Sequence, residues 1–343
     1  MTRITIKQIA EEAGVSMTTV SNVLNKKTHR VSEETIQLVE EIIKKYNYIP
    51  NMNARSLVNS SSRLIGLLYY SKQGEFAFSD PFTSELLAGI EKESKKNGYF
   101  VLVHNVTSIN ELLTLQQNWN FEGFIIVGVS ASHFSNVNQA IKKPTIYIDT
   151  YLFKEDYEKV QEQDDRLFIN TNDYGAGILA MEHFVTCGHK DIAFLSYEFE
   201  KELPGVIEKR FQAYKNILGK YQYPLSKANI FVEEDFEKID QSLNNFSAIL
   251  VTSDYLAIKL IKFLKLKGNY SVERTSIIGF DDVYFSEYVD PGLTTIRLNP
   301  SQKGRIAFEG LMNICQNQPI AEQFKLLKGE LILRESVANK KKS

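Results

Sequence analysis

Short apolar runs alternate with longer amphipathic segments over most of this chain, from residue 64 to residue 280. This alternation is typical of a mostly parallel sheet with helices on both faces. About 280 residues follow residue 63, more than a typical single domain, so we expect two open α/β lobes facing a cleft. The apolar runs occupy residues 64–68, 99–103, 124–127, 145–149, 167–171, 192–196, 248–251 and 276–280, and the helical segments include residues 82–96, 173–187, 209–218 and 254–267.

Residues 5–25 have the pattern of two short helices separated by a tight turn. Thr5 and Gln8 form a capping-box pattern, Gly14 supplies the turn, and Ser16 caps the second helix. The outward-facing residues near the start of that helix are Met17, Thr18, Ser21 and Asn22. Such a pair can enter a DNA groove, but helix pairs around a glycine also occur in ordinary bundles, so the motif alone leaves both interpretations open.

The next forty residues favour the DNA interpretation. Ser32 caps a third helix, Glu33 and Glu34 suit its positive N-terminal end, and its apolar stripe is formed by Ile36, Val39, Ile43 and Tyr46. Residues 1–63 contain nine Lys/Arg and six Asp/Glu, so they carry about +3, whereas the whole chain carries −2. We therefore expect a three-helix headpiece that contacts the phosphate backbone.

Several local motifs together carry a resemblance to a known family. They are Ile9-Ala10, Ala13-Gly14-Val15-Ser16, Thr19-Val20-Ser21, Val23-Leu24-Asn25, Tyr48-Ile49-Pro50-Asn51, Ala54-Arg55 and Leu57, and later Gly188-His189-Lys190, Ser253-Asp254, Ile277-Ile278-Gly279-Phe280-Asp281-Asp282 and Leu333-Arg334-Glu335-Ser336. On these motifs the chain resembles the lactose-repressor/galactose-repressor family of bacterial transcriptional regulators. The resemblance runs essentially from Thr5 to Val337.

The resemblance implies three segments. They are an all-α helix-turn-helix headpiece at residues 1–49, a hinge helix and linker at 50–62, and an α/β two-lobed, periplasmic-binding-protein-like effector domain at 63–343. Pro50 ends the third helix, and residues 51–59 are too few to form a stable helix alone. By resemblance this segment folds when two subunits sit on an operator, and Leu57 enters the minor groove. A plain flexible linker, suggested by Ser60, Ser61 and Ser62, is the alternative.

The resemblance also implies which residues touch DNA. Met17, Thr18 and Asn22 match positions that touch base edges; Ser16, Thr19, Ser21 and His29 match positions at or beside phosphate; Thr5, Asn51, Ala54 and Leu57 complete the predicted set. Asn can read adenine through two hydrogen bonds. Many relatives carry Arg where this chain has Asn22, so we expect a near-palindromic operator with half-sites unlike those of the best-known relatives.

The predicted effector site lies beyond the carboxyl ends of the strands. Its residues, assigned by resemblance, are Asp80, Phe82, Asp149, Arg210, Phe236, Ser253 and Asp281. Carboxylates, Arg and hydroxyl groups around an aromatic face suit a neutral polyol, and the carboxylates repel a phosphorylated effector. Many relatives have Asn at the Asp80 position, and Asp149 lacks the Arg that often follows it. Helix caps, a salt bridge at Arg210 and a core position for Phe236 are the structural alternatives.

Composition and motifs exclude several other classes. The chain shows no N-terminal signal segment and no run of eighteen apolar residues, so we expect a cytoplasmic protein without membrane contact. Cys187 and Cys315 have no metal-binding spacing, and Gly175-Ala176-Gly177 lacks the context of a dinucleotide loop. We therefore expect no metal and no cofactor. Loose ends are expected at residues 1–3 and at Lys340-Lys341-Lys342.

Three functional classes follow. The first is a homodimeric repressor of a carbohydrate-utilisation operon, released by a mono- or disaccharide; without a heptad tail after Val337, we expect no coiled-coil tetramer. The second is a regulator of the same family that needs a co-effector or a phosphoprotein partner. The third, an exported sugar receptor or a sugar enzyme, is disfavoured by the missing signal segment and by the lack of a nucleophile, base and oxyanion grouping. Nucleobases also remain open as effectors.

Overall fold

The computed structural model describes residues 4–48, 61–70 and 80–341. The chain divides into two compact units, Met1–Ser62 and Arg63–Ser343. Asn51, Ala54 and Leu57, and with them most of the predicted hinge segment, lie outside the described residues, so their roles stay predictions. Among the described residues, no helix is both long and apolar enough to cross a membrane.

The N-terminal unit contains helices α1 (Ile6–Ala13), α2 (Met17–Leu24) and α3 (Glu33–Lys45). The Thr5 N–H donates to Gln8 Oε1 at 2.9 Å and the Gln8 N–H donates to Thr5 Oγ1 at 3.3 Å, which completes the capping box of α1. Helix α1 ends at Gly14, whose φ of +65° is the left-handed conformation that glycine adopts without steric cost. The sequence thus sets both ends of the predicted turn.

One apolar core joins these three helices. Its buried members are Ile9, Ala10, Ala13, Val20, Val23, Val39 and Ile42. The predicted stripe of α3 is wrong at Tyr46, which is 43% exposed. Tyr46 caps the C-terminus of α3, so its ring lies beyond the last helical turn that packs on the core. The Lys45 Nζ atom lies 4.9 Å from the centroid of the Tyr46 ring.

The C-terminal unit contains the strands. In chain order they are β1 (Leu64–Tyr70), β2 (Phe100–Val106), β3 (Gly123–Val127), β4 (Thr145–Ile148), β5 (Arg166–Thr171), β6 (Ile192–Ser196), β7 (Ile230–Val232), β8 (Ala248–Val251), β9 (Ser276–Asp281), β10 (Thr294–Arg297), β11 (Phe324–Leu327) and β12 (Glu330–Ile332). The first sheet has the order β11-β5-β4-β3-β1-β2 and the second has the order β12-β10-β9-β8-β6-β7. The described strand pairs are parallel except β10 with β12.

Helices cover both faces of each sheet, as the alternating pattern predicts. They are α4 (Pro81–Lys96), α5 (Ile109–Asn118), α6 (Ala131–Ala140), α7 (Lys154–Val160), α8 (Asp173–Thr186), α9 (Val206–Lys220), α10 (Phe236–Gln241), α11 (Asp254–Leu266) and α12 (Pro300–Cys315). In the first sheet, Leu67 of β1 lies beside Ile125 of β3 in one core, whereas Leu68 lies beside Ile126 in the core on the other face. Successive strand residues therefore feed opposite cores.

The first lobe consists of the first sheet with α4–α7 and α12, and the second lobe consists of the second sheet with α8–α11. The chain passes between the lobes three times: after β5 at residue 172, after β10 at residues 298–299, and after β11 at residues 328–329. Three adjacent crossovers of a few residues each form a hinge, the arrangement in which two lobes rotate around a bound ligand.

The expectation of a loose C-terminal end is wrong at Lys340 and Lys341, which the structure describes. The Lys340 N–H donates to Cys187 O at 2.8 Å. His189 is buried and holds the same segment, with its Nε2 3.0 Å from Ala338 O and its Nδ1 2.9 Å from Ser247 Oγ. The tail is therefore packed on the second lobe.

Candidate DNA-binding and effector sites

The N-terminal end of α2 carries the residues predicted to touch DNA. The Thr19 N–H donates to Ser16 Oγ at 3.1 Å, so Ser16 caps the helix as expected. Thr5, Ser16, Thr18 and His29 are exposed, and Met17 is 56% exposed although it is apolar. An exposed apolar side chain beside hydroxyl groups suits contact with a thymine methyl and with phosphate.

Asn22 differs from its neighbours on α2. The Asn25 side chain donates to Ser21 O at 2.7 Å, and the hydroxyls of Ser16 and Thr19 lie 2.9 Å apart, so these polar groups are already engaged. The Asn22 side chain is half-buried and makes no side-chain hydrogen bond to other described residues. Its amide is therefore available for a base edge, and a helix N-terminus nearby favours phosphate.

Strand ends in the C-terminal unit place the predicted effector residues at one edge of each sheet. Asp149 follows β4, Asp281 ends β9, and Ser253 follows β8. Asp149 has φ of +50° and Asp281 has φ of +111°. Left-handed backbone at non-glycine residues is uncommon and is concentrated at functional sites, so these two positions support a ligand site at this edge.

Arg210 of α9 is buried beneath the same edge of the second sheet. Its Nε and Nη2 donate to Asp173 Oδ1 at 2.9 Å and 2.7 Å, and its Nη1 donates to Thr252 O at 2.5 Å. The ring of Phe280 lies 4.2 Å from the guanidinium carbon. The alternative of a salt bridge at Arg210 is thus realised, but inside the lobe, and three of five N–H groups are used. Two donors remain.

Asp281 and Asp80 are carboxylates in confined surroundings. Burial raises the pKa of Asp281 well above its usual range; Arg210 opposes this rise, whereas Asp254 and Asp80 reinforce it. Asp281 receives no side-chain hydrogen bond from the described residues. Asp80 caps α4 by accepting the Phe82 N–H at 3.0 Å, and burial raises its pKa as well. Asp281 is therefore the carboxylate here that most lacks a partner.

Asp149 has a partner that the sequence did not suggest. Lys303 of α12 donates to Asp149 Oδ1 at 2.7 Å, to Asp149 Oδ2 at 2.9 Å and to Thr171 Oγ1 at 2.9 Å. The Lys303 side chain is 0% exposed, and its Nζ lies 5.2 Å from the ring centroid of Phe82. Asp149 thus forms an ion pair with Lys303 at the candidate site. Each of its carboxylate oxygens already accepts one hydrogen bond and keeps one lone pair for a ligand.

Ser253 and Phe236 show the structural roles considered as alternatives. The Leu256 N–H donates to Ser253 Oγ at 3.2 Å, and the Ser253 hydroxyl lies 3.5 Å from Tyr197 OH. Burial raises the pKa of Tyr197 to about 12, so its hydroxyl stays protonated. Phe236 begins α10 and packs on the core of the second lobe, with its ring centroid 5.6 Å from that of Phe263. Neither contact excludes a ligand.

Comparison with known proteins places this geometry in context. The family model described as bacterial regulatory proteins, lacI family, matches residues 5–51, and the model of a periplasmic binding protein-like domain matches residues 181–337. The HTH-type transcriptional repressor PurR of Actinobacillus pleuropneumoniae is 29% identical, with 98% of each chain covered. The chain belongs to the lacI family of bacterial regulatory proteins.

Other members of the lacI family agree with this assignment over nearly the whole chain. The ribose operon repressor of Haemophilus influenzae is 28% identical and covers 97% of this chain and 98% of its own. The lac repressor dimer bound to operator and the anti-inducer ONPF has a TM-score of 0.81 at 25% identity, covering 98% of this chain and all of that one. This lacI-family chain is therefore a DNA-binding transcriptional repressor regulated by a small-molecule effector, and not an enzyme.

Sequence reasoning missed three residues of the polar network around the candidate site: Asp173, Lys303 and Tyr151. Asp173 lies two residues after the end of β5, so its position at a strand end is a signal that could have found it. Tyr151 lies two residues after Asp149. Lys303 gave no usable signal, because a lysine within a helix is ordinarily solvated.

Proposed function

We propose that this repressor binds a near-palindromic operator as a homodimer, controls a carbohydrate-utilisation operon, and is released from DNA by a small neutral sugar. The sugar assignment rests on the combination of Arg210 and Asp281. Among the described residues, two N–H groups of Arg210 have no acceptor and the Asp281 carboxylate has no side-chain donor. One group donates and the other accepts, which suits neighbouring hydroxyls of a sugar.

Charge argues against an anionic effector. Arg210 is already neutralised by Asp173 and Lys303 by Asp149, and burial raises the pKa of Asp281 and of Asp80, the effect expected where a charge is poorly compensated. An effector with a phosphate or carboxylate group would therefore lie near these carboxylates. Among the described residues of the site, no cation is left unpaired to balance its charge. A neutral sugar avoids this repulsion and supplies hydroxyl donors.

Two relatives support a sugar. The Haemophilus influenzae protein is named as a ribose operon repressor, and a LacI-family regulator from Enterococcus faecium, 25% identical with a TM-score of 0.65 over 80% of this chain, was solved with bound ribose. The lac repressor was solved as a dimer on its operator, which supports a dimer here. Two headpieces side by side also suit a near-palindromic site.

Isothermal titration calorimetry of the full chain tests the sugar assignment. The probes are D-ribose, D-galactose, lactose and cellobiose, with ribose 5-phosphate as the anionic control and hypoxanthine for the nucleobase alternative. We expect a neutral sugar to bind, and Asp281→Asn to weaken its binding about 10-fold, because the carboxamide oxygen still accepts a hydrogen bond but lacks the charge that strengthens it. The matched control is the exposed Asp164→Asn, which should bind as the unaltered chain does. Binding of only the phosphate or the nucleobase would overturn the proposal.

Operator release is tested with DNA selected from a randomised duplex pool. Addition of the bound sugar should weaken operator binding. If the sugar instead strengthens operator binding, the co-effector alternative is correct. If it leaves operator binding unchanged, another partner must supply the signal.

A further inference from the structure

The first of the three crossovers contains a polar cluster that spans both lobes. Tyr151 lies in the loop after β4, and its hydroxyl is 2.8 Å from Thr171 O and 2.7 Å from Asp173 Oδ2. Thr171 is the last residue of β5, in the first lobe, whereas Asp173 is the first residue of α8, in the second lobe. The Tyr151 hydroxyl therefore bridges the point where the chain passes between lobes.

Each end of this bridge is fixed to its own lobe. The Thr150 N–H donates to Asn170 Oδ1 at 3.0 Å and Asn170 Nδ2 donates to Thr150 O at 2.9 Å, which ties the residue before Tyr151 to β5. Asp173 is 1% exposed and receives two hydrogen bonds from Arg210, which is held in turn by Thr252 O of the second lobe. A rotation of the lobes must therefore change the distance between Tyr151 OH and Asp173.

The hydroxyl of Tyr151 has one proton and two acceptors. Thr171 O stays in the first lobe, and Asp173 Oδ2 moves with the second. If the lobes rotate so that Asp173 moves away, the proton can keep Thr171 O as its partner while the bond to Asp173 is lost. The buried hydroxyl is thus satisfied in both arrangements, so the bridge favours one lobe angle without blocking the other.

We infer that Tyr151 is a positioning residue that couples the effector site to the angle between the lobes. The inference rests on the proposed function in one respect, the placing of the effector at Arg210. An effector that binds the two remaining N–H groups of Arg210 acts on the same guanidinium that holds Asp173. Binding of the effector then changes the position of Asp173, the acceptor of the Tyr151 hydroxyl, and thereby the angle between the lobes.

Double electron–electron resonance on the full chain tests this coupling without any ligand. Nitroxides are attached at Leu113→Cys on α5 and Leu266→Cys on α11, which are exposed positions in different lobes, with Cys187 and Cys315 replaced by Ser. Labelled chain is mixed with excess unlabelled chain, so that distances within one subunit dominate. The Tyr151→Phe variant keeps the ring and removes the hydroxyl. We expect one population of distances between the two nitroxides in the parent chain, and a second population at a different distance in Tyr151→Phe.

Tyr221→Phe is the matched control, because the Tyr221 hydroxyl donates to Glu182 Oε2 at 2.8 Å within the second lobe. A purely structural role would lower the unfolding temperature and leave the distances unchanged. A distance distribution of Tyr151→Phe that superimposes on the parent distribution would overturn the inference.

The result is independent of the sugar assignment. Suppose that Tyr151→Phe shows the second population but calorimetry detects no sugar binding. The role of Tyr151 would then stand, and the proposed effector would be refuted. For a sugar that does bind, Tyr151→Phe should lower the ratio of operator affinities without and with sugar about tenfold or more. An unchanged ratio would contradict the inference even if the sugar binds.

Discussion

The Lys303–Asp149 pair provides a quantitative test of the charge arrangement at the site. Lys303 is 0% exposed and Asp149 is 14% exposed, and three hydrogen bonds from one ammonium group hold Asp149 and Thr171. Replacing Lys303 by Met leaves a carboxylate largely shielded from water without its counter-charge. Removal of one partner of a buried pair costs about 3–5 kcal/mol, and the partial exposure of Asp149 favours the lower end, about 3 kcal/mol.

The second variant distinguishes charge from packing. Lys303→Met with Asp149→Asn replaces both charges, so much of the loss should return, with a coupling energy of about 1–3 kcal/mol in the double-mutant cycle. The assay is urea unfolding followed by circular dichroism at one fixed protein concentration, because association also shifts apparent stability. With a urea slope of about 3 kcal/mol per M for a domain of this size, the single variant should lower the midpoint by about 1 M.

The control is Lys154→Met, which removes the lysine of a solvent-exposed pair with Glu158 and should leave the midpoint nearly unchanged. A loss below about 1 kcal/mol for Lys303→Met, or a double variant less stable than the single one, would refute the reasoning. The first result would mean that Asp149 is well solvated without Lys303. The second would mean that packing of the lysine stem dominates.

Three further predictions concern other parts of the chain. Asn22→Arg should change base preference in a randomised-site selection far more than it changes non-specific affinity, and an unchanged preference would remove Asn22 from the base-reading set. Thr5→Ala should destabilise the headpiece by about 1 kcal/mol in thermal unfolding, since it removes one half of the capping box; no loss would show that Gln8 alone suffices. Burial raises the pKa of Asp254 to about 7, so the folded chain binds this proton more tightly than the unfolded chain. The free energy of unfolding of the unaltered chain, relative to that of Asp254→Asn, should therefore fall as pH rises from about 4 to about 7, by up to about 1.4 kcal/mol per pH unit. Above about pH 7 the difference should stay constant. Parallel pH profiles of the two chains would contradict this prediction.

The buried strands were largely predictable from sequence. Strands β6 and β8 have the predicted bounds, Ile192–Ser196 and Ala248–Val251, because parallel strands covered on both faces read as continuous apolar runs. Strands β7 and β12, with three residues each, lie at sheet edges and lack such runs, so periodicity gave no signal for them. A helix was predicted at Cys315, but the start of α12 was not, although Asn299 and Pro300 form a helix-start pattern.

The strand-end positions of single candidate residues were predictable from sequence, but their pairings were not. The family resemblance assigned Asp149 and Asp281, and both lie where the carboxyl ends of parallel strands meet at the edge of a sheet. The partners are far apart in the chain: Asp173 lies 37 residues before Arg210, and Asp149 lies 154 residues before Lys303. Local sequence carries no signal for such pairing, which depends on how the crossovers bring α8, α9 and α12 together.

These pairings underlie the proposed preference of the candidate site for a ligand that donates hydrogen bonds. Each buried cation has its own carboxylate, Arg210 with Asp173 and Lys303 with Asp149, so the cost of burying those charges is already offset within the protein. Asp281 lacks such compensation among the described residues, and burial raises its pKa. A hydroxyl donor brought to Asp281 supplies the missing hydrogen bond and simultaneously offers an oxygen to the two remaining donors of Arg210. A ligand with only acceptors would leave Asp281 unsatisfied, and an anion would add repulsion. In the proposed function, the asymmetry of the charge pairing, more than the number of polar groups, therefore sets the preference for a polyol.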